Sequence, residues 1–128
     1  MTDREAYIVL NMLSGIGPAR LATLLSVCGT SSEIFACPEH ELASIQGIGP
    51  VLAEKIAHWE NSVNLKHEFD LAERGGVRIL TRGEEDYPEL LSTIHDAPIC
   101  LYVRGEIPES ISCRSLAIVG TRNMTQYG

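Results

Sequence analysis

Hydrogen-bond donors are concentrated in the last nine residues of this 128-residue sequence. The apolar run at residues 116–119 is typical of a buried parallel strand, and it gives way at once to glycines, threonines and an arginine. Backbone N–H groups, threonine hydroxyls and a guanidinium are donors suited to phosphate oxygens. Because ligands bind beyond the carboxyl ends of strands in α/β sheets, this segment predicts an anion site. Its candidate residues are Gly120, Thr121, Arg122, Thr125, Tyr127 and Gly128.

Two roles are open for most of these side chains. Arg122 either pairs with a phosphate or forms a solvent-exposed ion pair with a nearby acid, and its place after a strand-ending glycine favours phosphate. Thr121 and Thr125 either donate to phosphate or cap the next helix, and these two roles are compatible. Tyr127 either stacks on a base or packs against the sheet.

An internal repeat in the first half predicts two helical hairpins. Residues 13–18 recur as residues 45–50, and in each copy Gly-x-Gly-Pro separates two segments whose apolar residues recur every three or four positions. The glycines make the turn, and the proline suits the first turn of the next helix. Either the hairpins pack on each other for geometry alone, which we favour, or they also touch DNA weakly. The candidates for that contact are Gly15, Gly17, Arg20, Gly47, Gly49 and Lys55.

The hydrophobic period changes at Gly75 and Gly76, where we place a boundary between a helical domain, residues 1–75, and an α/β domain, residues 76–128. A helix is expected from Asn61 to Arg74 before the boundary. The pattern after it predicts strands at residues 77–80, 98–105 and 115–119, with a short helix at 87–94. Three aromatic side chains are expected in the core: Trp59, Tyr87 and Tyr102. The predicted fold class is α+β.

Charge excludes a general basic coat. The net charge is −7, with ten acidic and five basic residues in 1–75, and seven acidic and five basic residues in 76–128. All five bases of the second stretch are arginines. Because such a chain does not adhere broadly to polyanions, any anion site must be local.

The sequence carries no recognisable catalytic or metal-binding set. Its four cysteines and four histidines lack ligand spacing, and the cysteines are expected to be small buried hydrophobic residues. The acidic run at residues 84–86 is typical of a solvated face or a helix start. His95 and Asp96 have no serine or cysteine nucleophile placed beside them, so a turn is expected. We therefore expect no metal and no cofactor. The charged amino-terminal residues indicate neither a signal peptide nor a membrane span, so a cytoplasmic location is expected.

Two resemblances join these patterns. The repeat resembles the helix-hairpin-helix motif, in which backbone N–H groups often hold a DNA phosphate. The order Tyr87-Pro88, then Leu101-Tyr102-Val103-Arg104-Gly105, then the Ala117-Ile118-Val119-Gly120-Thr121-Arg122 segment resembles the DNA-processing protein A family, also called Smf.

The family resemblance implies a SAM-like helical leader followed by the start of a Rossmann-like domain. It also implies a non-enzymatic protein that binds single-stranded DNA through its backbone during natural transformation and assists loading of the RecA recombinase, often as a homodimer. Family members continue beyond Gly128, so this chain is expected to be part of a longer protein. No membrane association is expected.

Two other functions stay open. One is a nucleotide-binding Rossmann enzyme of the lysine-decarboxylase-like group, which hydrolyses nucleoside monophosphates, although no acid/base motif for it is present. The other is a helical protein-interaction module formed by residues 1–75.

Overall fold

The computed structural model of the chain describes residues 1–108, 111, 116–123 and 126. Within these residues the architecture is α+β, as predicted: a mostly helical chain carries a small two-stranded sheet near its end. The helices are α1 (Asp3–Met12), α2 (Pro18–Cys28), α3 (Ser31–Ala36), α4 (Glu39–Ser44), α5 (Gly49–Ala57), α6 (Leu65–Arg74) and α7 (Glu89–Ser92). A 3₁₀ turn spans Trp59–Asn61, and the strands are β1 (Val77–Thr81) and β2 (Cys100–Arg104).

Two of the helices begin with a reciprocal cap. At α1, the Thr2 hydroxyl accepts from the Glu5 N–H at 3.2 Å, while the Glu5 carboxylate accepts from the Thr2 N–H at 2.7 Å. Thr30 and Glu33 repeat the arrangement at α3. Each cap satisfies backbone donors that have no partner inside the helix, which fixes where these helices start.

The predicted hairpins are confirmed. The first joins α1 to α2 and the second joins α4 to α5, with Pro18 and Pro50 in the first turns of α2 and α5. Gly15 and Gly47 have φ angles of 98° and 84°. Side chains rarely adopt this left-handed backbone, so glycine is required at both turns.

One core unites the helices. Its largest fully buried side chains are those of Ile8, Leu10, Leu21, Leu24, Ile34, Leu42 and Ile56. Trp59 packs against this core as expected, with its ring edge-on to Phe35 at 6.1 Å between centroids.

The sheet is one antiparallel pair. Val77 lies opposite Arg104 and Thr81 lies opposite Cys100. Tyr87 is buried, as expected, and its hydroxyl donates to the Pro98 carbonyl at 2.8 Å. This bond ties the segment after β1 to the start of β2.

The sheet packs on the helical part through a continuous core that includes Ile79, Ile99 and Cys100. Arg4 of α1 also reaches across, since its Nη2 donates to the Ile79 carbonyl at 2.9 Å and its guanidinium lies over the Phe69 ring. The division at residues 75 and 76 stays a proposal, and in this structure both stretches share one core.

The expected third strand is not formed by residues 116–119. Leu116, Ile118 and Val119 are about nine-tenths exposed, and no described strand lies beside them. An extended segment without a neighbour has no ladder partners for its backbone groups, so an apolar sequence does not make a strand by itself. The Rossmann-like continuation of the sheet remains a prediction.

Three smaller expectations also need correction. The helix expected from Asn61 begins at Leu65, because the Asn64 side chain accepts from the His67 N–H and caps it there. The helix expected at residues 87–94 is only α7. Tyr102 was expected in the core but is 47% exposed, because the face of β2 that it shares with Cys100 and Arg104 is buried only at Cys100.

Candidate nucleic-acid interface

The terminal loop, residues 120–128, is described at residues 120–123 and 126, where it is exposed. A bend covers Arg122 and Asn123, and the Thr121 hydroxyl donates to the Asn123 carbonyl at 2.6 Å. This bond occupies the Thr121 proton, so in this arrangement the hydroxyl does not also donate to a ligand. The predicted site residues Thr125, Tyr127 and Gly128 lie outside the described residues.

The Arg122 guanidinium is exposed to solvent. Among the described residues, no carboxylate lies within 4.0 Å of it, so the alternative of an internal ion pair gains no support there. The backbone N–H groups of Gly120, Thr121 and Arg122 donate to no described backbone carbonyl. Within the described part of the chain, three N–H groups and one guanidinium fork, donors suited to an anion, thus have no backbone-carbonyl or carboxylate partner.

Gly120 is surrounded by open space. A Cβ built there meets no atom within 4 Å, and its φ is not positive. Nothing in the described fold therefore requires glycine at this position. A ligand that comes close to the backbone would still favour glycine at this position.

The hairpin turns, residues 13–17 and 45–48, use their basic residues differently. The Nε of Arg20 donates to the Gly47 carbonyl at 2.9 Å, and its Nη1 donates to the Gly15 carbonyl. One guanidinium thus joins the turns of both hairpins, which lie 27 residues apart at this contact.

Lys55 makes the contact in the opposite direction. Its Nζ, on α5 of the second hairpin, donates to the Ser14 hydroxyl of the first hairpin at 3.1 Å. Because both candidate basic residues bond to the other hairpin, the geometry supports the interpretation that the hairpins pack on each other. The sequence had offered Arg20 and Lys55 as DNA contacts, and their use as DNA contacts stays untested.

The acidic run is engaged in internal contacts. Glu84 accepts from the Thr81 N–H and hydroxyl and pairs with Arg4 at 3.0 Å, while Asp86 pairs with Arg78 at 2.9 Å. In the part of the chain that the structure describes, no group of three or more histidine, cysteine or acidic residues is arranged to hold a metal ion.

Two of the described cysteines, Cys37 and Cys100, are poor nucleophiles. Burial raises the pKa of the Cys100 thiol to about 12, and burial together with the neighbouring Cys28 and Glu41 raises the pKa of Cys37 to about 11. Both thiols stay protonated near neutral pH, so neither provides the thiolate that covalent catalysis needs.

Sequence reasoning missed the structural roles of two arginines. Arg4 bonds to residues 75 and 80 positions away, and Arg20 bonds to a turn 27 positions away. No local pattern signals partners at such separations. Among the helices that the structure describes, none has the length and apolar character needed to cross a bilayer.

Two protein-family models match the chain, one in each half. Residues 78–128 match the family model for DNA recombination-mediator protein A, and residues 7–58 match the model for the SAM-like helix-hairpin-helix tandem. The first match includes the terminal loop and the second includes both hairpin turns.

Individual relatives agree with these matches. The chain is 25% identical to protein Smf of Synechocystis sp. over 99% of its own length and 33% of that protein. It is 36% identical to DNA processing protein DprA of Bacillus subtilis over 41% of its length and 18% of that protein. A match to UvrABC system protein C of Psychrobacter cryohalolentis, at 38% identity, covers 41% of the chain and 9% of that protein.

The chain thus spans about a third of the length of its Synechocystis relative. No solved structure matches it.

Proposed function

We propose that the chain belongs to the DNA-processing protein A (Smf) family and is part of a protein that binds single-stranded DNA during recombination and natural transformation; its similarity to the recombination-mediator family model, to Smf and to DprA supports this. The observation that carries this proposal is the exposed terminal loop. Its Arg122 guanidinium and three backbone N–H groups have no internal acceptor among the described residues.

Binding through such a loop is directed at the DNA backbone rather than at the bases. A guanidinium fork matches two phosphate oxygens, and backbone N–H groups that donate to phosphate do not distinguish one base from another. Because the net charge of the chain is −7, the attraction comes from a few local contacts. Affinity therefore depends on the summed contacts of the complete protein, and these residues alone are expected to bind weakly or not at all.

The proposed protein partners are those that the family resemblance implies. We propose that the complete protein assists loading of the RecA recombinase onto the bound strand, that it does so in the cytoplasm as a homodimer, and that it performs no covalent chemistry. The support for these partners is the match to a recombination-mediator family over residues 78–128.

The test measures single-stranded DNA affinity against salt concentration in the complete protein containing these residues. Arg122→Gln should weaken binding several-fold and lower the slope of log affinity against log salt by about 0.7, the value for one lost phosphate contact on a single strand. Arg104→Gln is the matched control. Arg104 lies in the same stretch, residues 76–128, it is also exposed, and it has no ion-pair partner among the described residues.

Equal affinity and equal slope in the wild type and Arg122→Gln would remove the proposal. Equal losses in Arg122→Gln and Arg104→Gln would also contradict it, since they would indicate general charge rather than a local site.

A second function, protein binding by the helical stretch, is favoured by one observation. Val27 of α2 and Val51 of α5 are more than three-fifths exposed, while the candidate basic residues of the same helices, Arg20 and Lys55, bond within the fold. Cross-linking mass spectrometry on the DNA-bound complete protein separates the two roles. Protein cross-links to residues 1–75 without DNA contacts there support it, and DNA cross-links at the hairpin turns contradict it.

A further inference from the structure

An open cavity of about 410 Å³ lies where the helices meet the sheet. Three segments line it: the start of α1, the turn between α2 and α3, and the turn after β1. Tyr7 and Leu25 supply apolar surface, and Asp3, Arg4, Arg82 and Glu84 bring charges to it. A volume of this size is within the range of small-ligand sites.

One pair of these charges is neutralised inside the protein. Arg4 and Glu84 form an ion pair at 3.0 Å, and Arg4 also donates to the Ile79 carbonyl. Glu84 accepts in addition from Thr81. These two side chains are positioned by the fold and have little capacity left for a ligand.

The Asp3 carboxylate is also engaged. It accepts from the Ser31 hydroxyl and the Ser32 N–H, each at 2.9 Å, and these bonds, with that of Ser32 the largest, lower the pKa of Asp3. Asp3 is therefore a fixed negative charge at the cavity. It disfavours a ligand that carries several negative charges.

Arg82 is different from the other charged residues of the cavity. Within the described residues its guanidinium makes one hydrogen bond, a long one of 3.5 Å from Nη2 to the Ser92 carbonyl. No carboxylate in the described ranges lies within 4.0 Å of it. Its charge acts on the hydroxyls of Tyr7 and Tyr87 and partly offsets the effect of burial on their pKa values. Arg82, which has no ion-pair partner among the described residues, and Tyr7 line the same cavity.

The Tyr7 hydroxyl completes the pair. It forms no hydrogen bond among the described residues, and no fully buried side-chain polar atom there lacks a partner. The hydroxyl is therefore open to solvent, and the cavity is the space that Tyr7 lines. Burial raises the pKa of Tyr7, so the group keeps its proton and acts as a donor.

We propose that Arg82 and Tyr7 form a binding site for one carboxylate group of a small organic acid. The guanidinium supplies the opposite charge and the phenol supplies a second donor to the same group. The apolar surfaces of Leu25 and the Tyr7 ring accommodate an apolar body attached to the carboxylate. One negative charge balances the one unpaired cation, while Asp3 disfavours a dianion.

This site is independent of the terminal loop, so its success or failure is separate from that of the DNA proposal. The experiment titrates benzoate into ¹⁵N-labelled protein and follows the Nε–H signals of the arginine side chains. The Arg82 signal should shift and saturate with a dissociation constant on the order of 1 mM. Tyr7→Phe should weaken binding about fivefold, as expected for one lost hydrogen bond.

Arg82→Gln should abolish saturable binding. Its matched control is Arg78→Gln, because Arg78 lies on β1 and is already paired with Asp86. The fold of each variant is checked by the amide spectrum, and Tyr7→Phe gives an independent result if Arg82→Gln alters the fold. Three outcomes overturn the proposal: a shift without saturation, equal binding in Arg82→Gln, or inorganic phosphate binding more tightly than benzoate.

Discussion

The hairpin turns and the terminal loop are built from the same residue types, glycines with an arginine close by, but they differ in what the arginine contacts. Arg20 donates to two backbone carbonyls, at Gly15 and Gly47, and so connects the hairpins. Arg122 meets no carboxylate in the part that the structure describes, and it faces solvent.

The glycines differ in the same direction. Gly15 and Gly47 have positive φ angles that the turns require, whereas Gly120 lies in open space without one. A glycine-arginine pattern therefore does not by itself indicate a ligand site. Whether the donors are already used inside the fold decides between a structural element and a binding element.

The largest loss of stability is expected when the turn glycines are replaced. Gly15→Ala and Gly47→Ala should each lower the free energy of unfolding by about 1–2 kcal/mol, because a Cβ is unfavourable in the left-handed region. Gly120→Ala should change the free energy of unfolding by less than about 0.5 kcal/mol, since it meets no neighbouring atom. Urea unfolding followed by circular dichroism measures all three, and equal losses at Gly15 and Gly120 would contradict the account.

A smaller difference in stability is expected between replacements of Arg20 and Arg122. Arg20→Gln should lower the free energy of unfolding by about 1 kcal/mol, because one hydrogen bond within the first hairpin and one between the hairpins are lost at an exposed position. Arg122→Gln removes the same charge and should be neutral within about 0.5 kcal/mol. Thermal unfolding of both variants under identical conditions provides the measurement. A loss of stability in Arg122→Gln as large as in Arg20→Gln would mean that Arg122 has a structural role.

Local sequence signals predicted much of the helical part. The 32-residue offset between the two glycine turns and the apolar spacing at Leu21 and Leu24 indicate paired helices, and the structure forms them. These signals succeed because caps, turns and helix faces are determined by residues three or four positions apart.

The rest depends on partners that the local sequence does not specify. Residues 116–119 have the composition of a strand but no described neighbour to pair with, and Tyr102 is exposed because its face of β2 is buried only at Cys100. The roles of Arg4 and Arg20 depend on contacts between distant parts of the chain. For the same reason, the sequence could nominate Arg20 and Arg122 as phosphate ligands but could not tell that Arg20 donates to the hairpin turns while Arg122 meets no carboxylate among the described residues.

The central claim is that single-stranded DNA contacts the terminal loop and not the hairpin turns. Backbone amide signals of the complete protein, followed by NMR during titration with a short oligonucleotide, test it most directly. The account predicts progressive shifts at Gly120, Thr121 and Arg122, with Gly15 and Gly47 unchanged. Shifts at Gly15 and Gly47 with the Gly120 and Arg122 signals unmoved would contradict it.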